Sequence, residues 1–575
     1  MTRVQWPAVL GLAAWLATTS AAFAQVRPYI GYAYPAGGQQ GTTFQVRLGG
    51  QGLDDVRSVL VSGTGVQARV VEYHRRLNPQ EIQLLREQLK ELKDAAPAGS
   101  AATAPTTGAG KPSASVDEEE RLKLIEKIEK RIAEYVQTPA CPAISSIILV
   151  EVTVAAGAHP SPRELRLVTP RGVSNPLQFH VGQFAEVSRK PMISATIQVL
   201  GKEALALRKR PADEVEQRIT LPCTVNGQVA SGEVNRYRFA ARKGQRLVIS
   251  TAARQLIPYI ADAVPGWFQP VLTLYDARGK EVAYNDDDRF KPDPLILFEV
   301  PRDGEYCFTI TDALYRGRED FVYRVTIGEL SFVTGIFPLG SRVGNPVPIG
   351  MKGWNLDAAE LTPLARDAGP GIYFLEASKQ GLVSNCVPFA LDTLLESTEK
   401  EPNNDPASAQ KVDLPIIVNG CVHLPDDLDV FMFAGRAGDT VVAEINARRL
   451  DSSLDSIIKL TGPDGKLLAF NDDREDPGSG LNTHHADSYV MATLPAEGTY
   501  CVHVGDVARG GGEAYAYRLR ISAPQPDFAL RVVPSSAALR SKSATALSVH
   551  VIRKDGFSGP LKLGACPGIP IQVRP

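Results

Sequence analysis

Residues 414–422 read LPIIVNGCV, and residues 221–229 read LPCTVNGQV. Outward from this pair the two segments stay in step. Phe433, Gly438 and Val442 answer Phe239, Gly244 and Val248, and Ala447-Arg448 with Leu450 answers Ala253-Arg254 with Leu256. Asn471-Asp472-Asp473 answers Asn285-Asp286-Asp287, and PAEGTYCVHVGD at 495–506 answers PRDGEYCFTITD at 301–312. Both copies finish on Tyr-Arg, at Tyr323-Arg324 and Tyr517-Arg518. So many ordered matches mark an internal duplication, with about 110 residues per copy.

Within each copy, short alternating segments such as Tyr237-Arg238-Phe239 and Arg246-Leu247-Val248-Ile249 read as half-buried strands. Asp276-Ala277-Arg278-Gly279 and Pro463-Asp464-Gly465 supply the turns. Strands without intervening helices predict an antiparallel sandwich or jelly roll. A smaller strand-rich module precedes each copy, ending in PRGVSNPLQF at 170–179 and QGLVSNCVPF at 380–389. The first of these is interrupted by two helical seams, Ile82, Leu85, Leu89, Leu92 and Ile125, Ile128, Ile132, Tyr135, on either side of an Ala/Gly/Pro/Thr/Ser tract at 95–115. The predicted class is all-β and multi-domain, with one α-helical hairpin insertion.

The N-terminal residues place Arg3 before an apolar run, Val9–Leu16, and Ala22-Phe23-Ala24 before Gln25, the order of a secretory signal peptide. The chain is therefore expected to be exported, to the periplasm, the cell surface or the medium. No stretch has the roughly 20 apolar residues that a membrane-spanning helix needs. Lys and Arg number 62 against 64 Asp and Glu, so no net field directs the protein to nucleic acid or an anionic membrane. The seven cysteines form no C-x-x-C pair. Cys307 and Cys501 hold the same strand position, which points to intradomain bridges Cys223–Cys307 and Cys421–Cys501.

At the residues just quoted, both copies resemble the bacterial pre-peptidase C-terminal domain, a jelly-roll module appended to many secreted proteases and surface proteins. The second copy is the fuller match, with the acidic lead-in Glu399-Lys400-Glu401-Pro402-Asn403-Asn404, the stretch Asp427–Phe433 and the strand GTYCVHV. The first has Glu233, Asn235 and Tyr237 where the second has Asp427, Asp429 and Phe431. The smaller modules resemble immunoglobulin-like or IPT/TIG-type sandwiches. The resulting map is a signal peptide at 1–24, an interrupted sandwich at 25–188 with its hairpin at 78–138, and a linker at 189–212. A degenerate jelly roll follows at 213–329, then a sandwich at 330–394, a jelly roll at 395–523 and a partial sandwich at 524–575.

Hard cations take several oxygen ligands, and Glu399, Glu401, Asn403 and Asn404 lie close before Asp426, Asp427 and Asp429. In collagen-binding members of the resembled family an acidic linker and two aspartates three apart hold calcium. That resemblance implies a calcium site at Glu399, Glu401, Asn403, Asn404, Asp426 and Asp429, in the second copy only. The Asn-Asp-Asp runs read as turns, because Asn and Asp bond their own backbone. Adjacent His484 and His485 point to opposite faces of an extended segment, which disfavours a transition-metal site. There is no G-x-S-x-G, H-E-x-x-H or P-loop pattern, and the chain is read as no enzyme. The apolar insert Ile257–Phe268 reads as a cap over the sandwich end. These features predict a non-catalytic binding or adhesion protein, with an extracellular matrix-like protein or a polysaccharide as partner. The alternatives are an accessory portion of a secreted peptidase and a structural envelope spacer.

Overall fold

A computed structural model describes residues 28–74, 77–94, 114–133, 142–192, 212–257, 267–365, 367–475, 485–534 and 544–564. The segment read as a signal peptide, the hairpin tip, His484 and most of the apolar insert lie outside these residues. The architecture is a series of two-sheet β-sandwiches, as the strand alternation predicts.

The first leading sandwich pairs one sheet, in the order Tyr29–Tyr34, Thr43–Gln51, Ser146–Val154, Val66–His74, with a second, Gly37–Gln39, Leu177–Gly182, Pro162–Thr169, Ser58–Val61. Its core alternates strictly. Val46 and Leu48 on one strand meet Ile148, Val150 and Val152 on the next, with Leu165, Leu167 and Phe179 from the facing sheet. The inserted helices Pro79–Asp94 and Ala114–Ala133 pack on one another. Asn78 caps the first, its side chain accepting from Glu81 N while Glu81 accepts from Asn78 N.

Each ten-stranded sandwich stacks two five-stranded sheets with identical topology in the two copies. The inward positions are large and apolar, Tyr237, Phe239, Phe308, Ile310, Val325 and Ile327 in the first, and Phe431, Phe433, Val502, Val504, Leu519 and Ile521 in the second. Removing any one of these aromatic rings costs about 3–5 kcal/mol. This shared inward set is what the duplication preserves.

One boundary differs from the sequence reading. Ala185–Ser188 was placed in the first leading sandwich, but it pairs in parallel with Cys223–Gln228 and opens the first ten-stranded sandwich, as Glu396–Thr398 opens the second. Of the terminal partial sandwich, the described residues form one hairpin, Asp527–Val533 with Ser548–Lys554.

The same polar joint seats each leading sandwich on its ten-stranded neighbour. Arg324 binds Glu186 and the Asn226 side chain, and Arg518 binds Glu396 and the Asn419 side chain, at 2.7–3.2 Å. The guanidinium groups lie against Gly37 and Gly340, where a Cβ would meet Arg324 or Arg518 and the backbone carbonyl of His180 or Ala390.

The expected disulfides are corrected. All five described cysteines, Cys223, Cys307, Cys386, Cys421 and Cys501, are free thiols. The reason is strand parity. Tyr306 and Phe308 point into the core, so Cys307 faces outward, opposite Arg238 and Tyr275, while Cys223 points into the core from the other sheet. Cys501 likewise faces outward beside Met432 and Thr461, whereas Cys421 lies at a strand end with its Sγ 3.3 Å from the Gly512 carbonyl.

Candidate cation site

The acidic lead-in of the second ten-stranded sandwich runs from Glu399 to Asn404 and lies across the start of the strand Asp429–Gly435, where Val430 N donates to the Asn403 carbonyl at 2.8 Å. This juxtaposition buries two carboxylates together. The Glu399 side chain is 3% exposed and Asp429 is fully buried. The Tyr517 hydroxyl reaches Asp429 Oδ2 at 2.7 Å and Glu399 Oε1 at 3.1 Å. One phenolic proton cannot serve both carboxylates, so the pair calls for a further proton or a cation. Accordingly, burial, and then the negative charge of Glu399, push the Asp429 carboxyl up to about 9. Burial followed by the same two carboxylates pushes the Cys421 thiol up to about 12 and the Tyr517 hydroxyl well above its usual value.

Around this pair the oxygens converge. Carboxylate oxygens of Glu401, Asp427 and Asp429 lie within 4.8 Å of one another, as do ligand atoms of Glu399, Glu401 and the His423 imidazole. Such separations suit oxygens around one ion at calcium–oxygen distances of 2.3–2.6 Å. Asn403 is fully buried and donates from Nδ2 to Glu399 at 3.0 Å. Its Oδ1 and Asp429 Oδ1 are buried acceptors without a partner. Orphaned buried oxygens are costly, about 1–3 kcal/mol each, unless something fills the gap between them. The donor set and these two orphans fit a hard cation such as calcium.

Of the residues expected from sequence, Glu399, Glu401, Asn403 and Asp429 come together. Asn404 sits one step out, donating to Asp427 Oδ1 at 2.8 Å. Asp426 is corrected: it occupies the left-handed region at φ 63°, its side chain is 70% exposed, and it faces Arg509 at 3.6 Å. The turn at Asp426 swings its neighbour Asp427 inward instead, so Asp427 takes the expected place. Sequence reasoning did not select His423 or Tyr517. The matching Tyr-Arg ends were visible, but nothing local marked the hydroxyl as a partner of the carboxylates.

The first copy shows what stands here without the acids. Arg189 N donates to the Asn226 carbonyl just as Glu399 N donates to Asn419, so Arg189 holds the position of Glu399. Asn235 holds that of Asp429 and Tyr323 that of Tyr517. The buried Arg189 guanidinium lies 4.7 Å over the Tyr237 ring, donates to Tyr237 Oη at 2.9 Å and to the Arg236 carbonyl at 2.9 Å, and also reaches Glu214 O. Asn235 donates to Tyr323 Oη at 2.9 Å. A fixed cation and a neutral amide thus replace the carboxylate pair.

The other candidates resolve into structural roles. Asn285 and Asn471 accept from Leu295 N and Tyr489 N, tying each Asn-Asp-Asp run to the start of the strand Leu295–Glu299 or Tyr489–Thr493. His485 accepts from Asp487 N, and Asp487 caps the turn at Ala447–Arg449 and binds the Arg449 guanidinium. Phe268 stacks on Phe321 at 5.2 Å in the core, while Trp267 lies under Arg254 at 3.9 Å and stays partly exposed; residues 258–266 of the apolar insert lie outside the described residues. No helix among the described residues is long and apolar enough to cross a membrane.

No protein-family profile matches the chain. Over 111 residues, 18% of the chain, it is 37% identical to a probable subtilase-type serine protease of Deinococcus radiodurans, and it spans 14% of that protein's length. Among solved structures, the pre-peptidase C-terminal domain of a Bacillus anthracis collagenase is similar at 17% identity with a TM-score of 0.16, covering 21% of this chain and 100% of that one. A protein of the Bacteroides ovatus mixed-linkage glucan utilization locus, solved with a mixed-linkage heptasaccharide, is similar at 9% identity with a TM-score of 0.12, covering 84% of this chain and 72% of that one.

Proposed function

We propose that this chain is an exported, non-catalytic binding protein whose second ten-stranded sandwich is stabilised by calcium. The observation that carries the reading is the asymmetry of the duplication. Glu399, Glu401, Asp427 and Asp429 gather around two orphaned buried oxygens in one copy, while Arg189 supplies the positive charge in the other. Asn403 completes the set of ligands, with His423 at the rim. Bound calcium would neutralise the Glu399–Asp429 pair and fix the acidic lead-in against the sandwich, ordering the adjacent surface for a partner. The resemblance of both copies to the pre-peptidase C-terminal module supports export and a matrix-like protein or polysaccharide as that partner.

The test is retention of the purified chain on insoluble polysaccharide and on fibrillar matrix protein, with calcium, with EDTA, and with zinc in place of calcium. Calcium-dependent retention on either surface is expected. Retention unchanged by EDTA, or restored by zinc alone, contradicts the calcium reading. A second reading, that the chain is an accessory portion of a secreted peptidase, is favoured by the 37% identity to a subtilase-type protease. Casein hydrolysis by the chain alone would overturn the non-catalytic reading in either form.

A further inference from the structure

The two leading sandwiches are the same construction with one omission. In both, an asparagine clasps the first strand, Asn175 bonding Ile30 N and O and Asn385 bonding Val333 N and O, each at 2.8–2.9 Å. The strand pairings place Val46 with Ile349, Val59 with Leu361, Leu165 with Leu375, Phe179 with Phe389 and Val181 with Leu391. Between Ser58–Val61 and Pro162–Thr169, the first sandwich inserts the strands Val66–His74 and Ser146–Val154. At that point the second has only the nine residues 362–370, between Glu360–Leu361 and Gly371–Lys379.

Two consequences follow from the missing strands. Gly350–Trp354 corresponds to Thr43–Gln51, which pairs on both sides. Among the described residues it pairs only with Phe332–Phe337, so its other edge is open. Next to the start of that strand, at Ile349, lies a cavity of about 670 Å³, lined by Val347, Ile349, Leu361, Leu375 and Phe389 and, from the nine-residue connection, by Ala368. In the first sandwich, Ile148, Val150, Val152 and Val154 of the strand Ser146–Val154 fill the matching space.

We propose that the second leading sandwich is a strand acceptor: the open edge of Gly350–Trp354 and the cavity beside Ile349 at its start take an extended polypeptide segment from a partner protein, with aliphatic side chains at every second position. This is independent of the calcium reading. The first sandwich supplies the pattern of the occupant in Ser146–Val154, where Ile148, Val150, Val152 and Val154 enter the core while Ile147 and Leu149 are buried on the other face. An added strand extends the existing sheet by main-chain hydrogen bonds while its alternate side chains enter pockets, the logic of β-strand addition. The lining is mostly apolar, with Ser341, Arg342, Asn345 and Thr362 among it, which suits aliphatic side chains next to a main chain, and open strand edges are otherwise a pairing hazard that proteins suppress.

The test uses the full chain and a labelled peptide of sequence SIILVEVTV flanked by lysines. Its control carries serine at the positions of Ile148, Val150 and Val152. The expected result is saturable one-to-one binding of the first peptide, weakened roughly tenfold or more for the control. Bound peptide should slow amide exchange at Gly350–Trp354 and leave Thr43–Gln51 unchanged. Ala368→Trp, which fills the cavity, should abolish binding. Equal binding of the control peptide, protection at another strand, or no binding by the folded chain overturns the proposal. So does self-association that protects Gly350–Trp354 and is not displaced by peptide, which would assign the edge to a second copy.

Discussion

With calcium removed, the second ten-stranded sandwich should lose stability as pH rises, because Asp429 keeps its proton in the folded state. The carboxyl is pushed up to about 9 by burial and by Glu399, whereas an unfolded aspartate has a pKa of about 3.9. Between about pH 5 and 9 the folded chain therefore holds a proton that the unfolded chain lacks. Stability contributed by this carboxyl is present at low pH and falls toward pH 9, by about 1.4 kcal/mol per pH unit. From pH 5 to 7 the loss is roughly 3 kcal/mol. The assay is hydrogen exchange in EDTA, corrected for intrinsic chemistry, on peptides covering Asp429–Gly435 and Ala516–Ser522. Protection should fall about tenfold per pH unit through global or subglobal opening. Asp429→Asn removes the proton equilibrium and should flatten the profile, as should saturating calcium, which replaces the proton. A flat profile in the wild type, or a slope retained in Asp429→Asn, refutes the reasoning.

Replacing Arg189 by Ala should destabilise the first ten-stranded sandwich by about 2–4 kcal/mol in urea unfolding, because it removes a buried donor from the Glu214 and Arg236 carbonyls and leaves the Tyr237 hydroxyl with Tyr323 alone. The double substitution Arg189→Glu/Asn235→Asp recreates the carboxylate pair there, and calcium should raise that variant's melting temperature more than the wild type's. Gly340→Ala should cost about 1–3 kcal/mol, since its Cβ meets the Ala390 carbonyl and Arg518, and thermal melting in calcium checks it. Non-reducing peptide mapping should find Cys307 and Cys501 unbridged. Cys421 should be the slowest of the described thiols to alkylate at pH 8, its thiol pushed up to about 12.

The duplication was legible because core positions repeat, and inward residues such as Phe239/Phe433 and Tyr323/Tyr517 cannot change freely in a packed interior. The Asn-Asp-Asp runs were read as turns bonding their own backbone; Asn471 does bond the Asp473 carbonyl, but the Asn285 and Asn471 carbonyl oxygens accept from Leu295 N and Tyr489 N, ten and eighteen residues on, which local sequence does not reveal. The disulfides were misread against a signal that was present. In EYCFTI, Tyr306 and Phe308 claim the inward face, and alternation puts Cys307 on the opposite face of the sheet, where it is buried beside Glu216 and away from Cys223. The replacement of Asp426 by Asp427 depends on one left-handed residue, which sequence spacing does not reveal. Arg189 escaped notice because the strand it follows, Ala185–Ser188, is separated from its partner by a long intervening segment and carries none of the repeated motif. The open second sandwich was hidden for a related reason: its signature is an absence, nine residues where the first sandwich has two strands and a hairpin.

Calorimetric titration of the full chain with calcium tests the asymmetry most directly. One ion should bind, Glu399→Gln and Asp429→Asn should each abolish binding, and Asp426→Ala should leave it unchanged. Two equivalents bound, none bound, or loss of binding in Asp426→Ala would contradict the account.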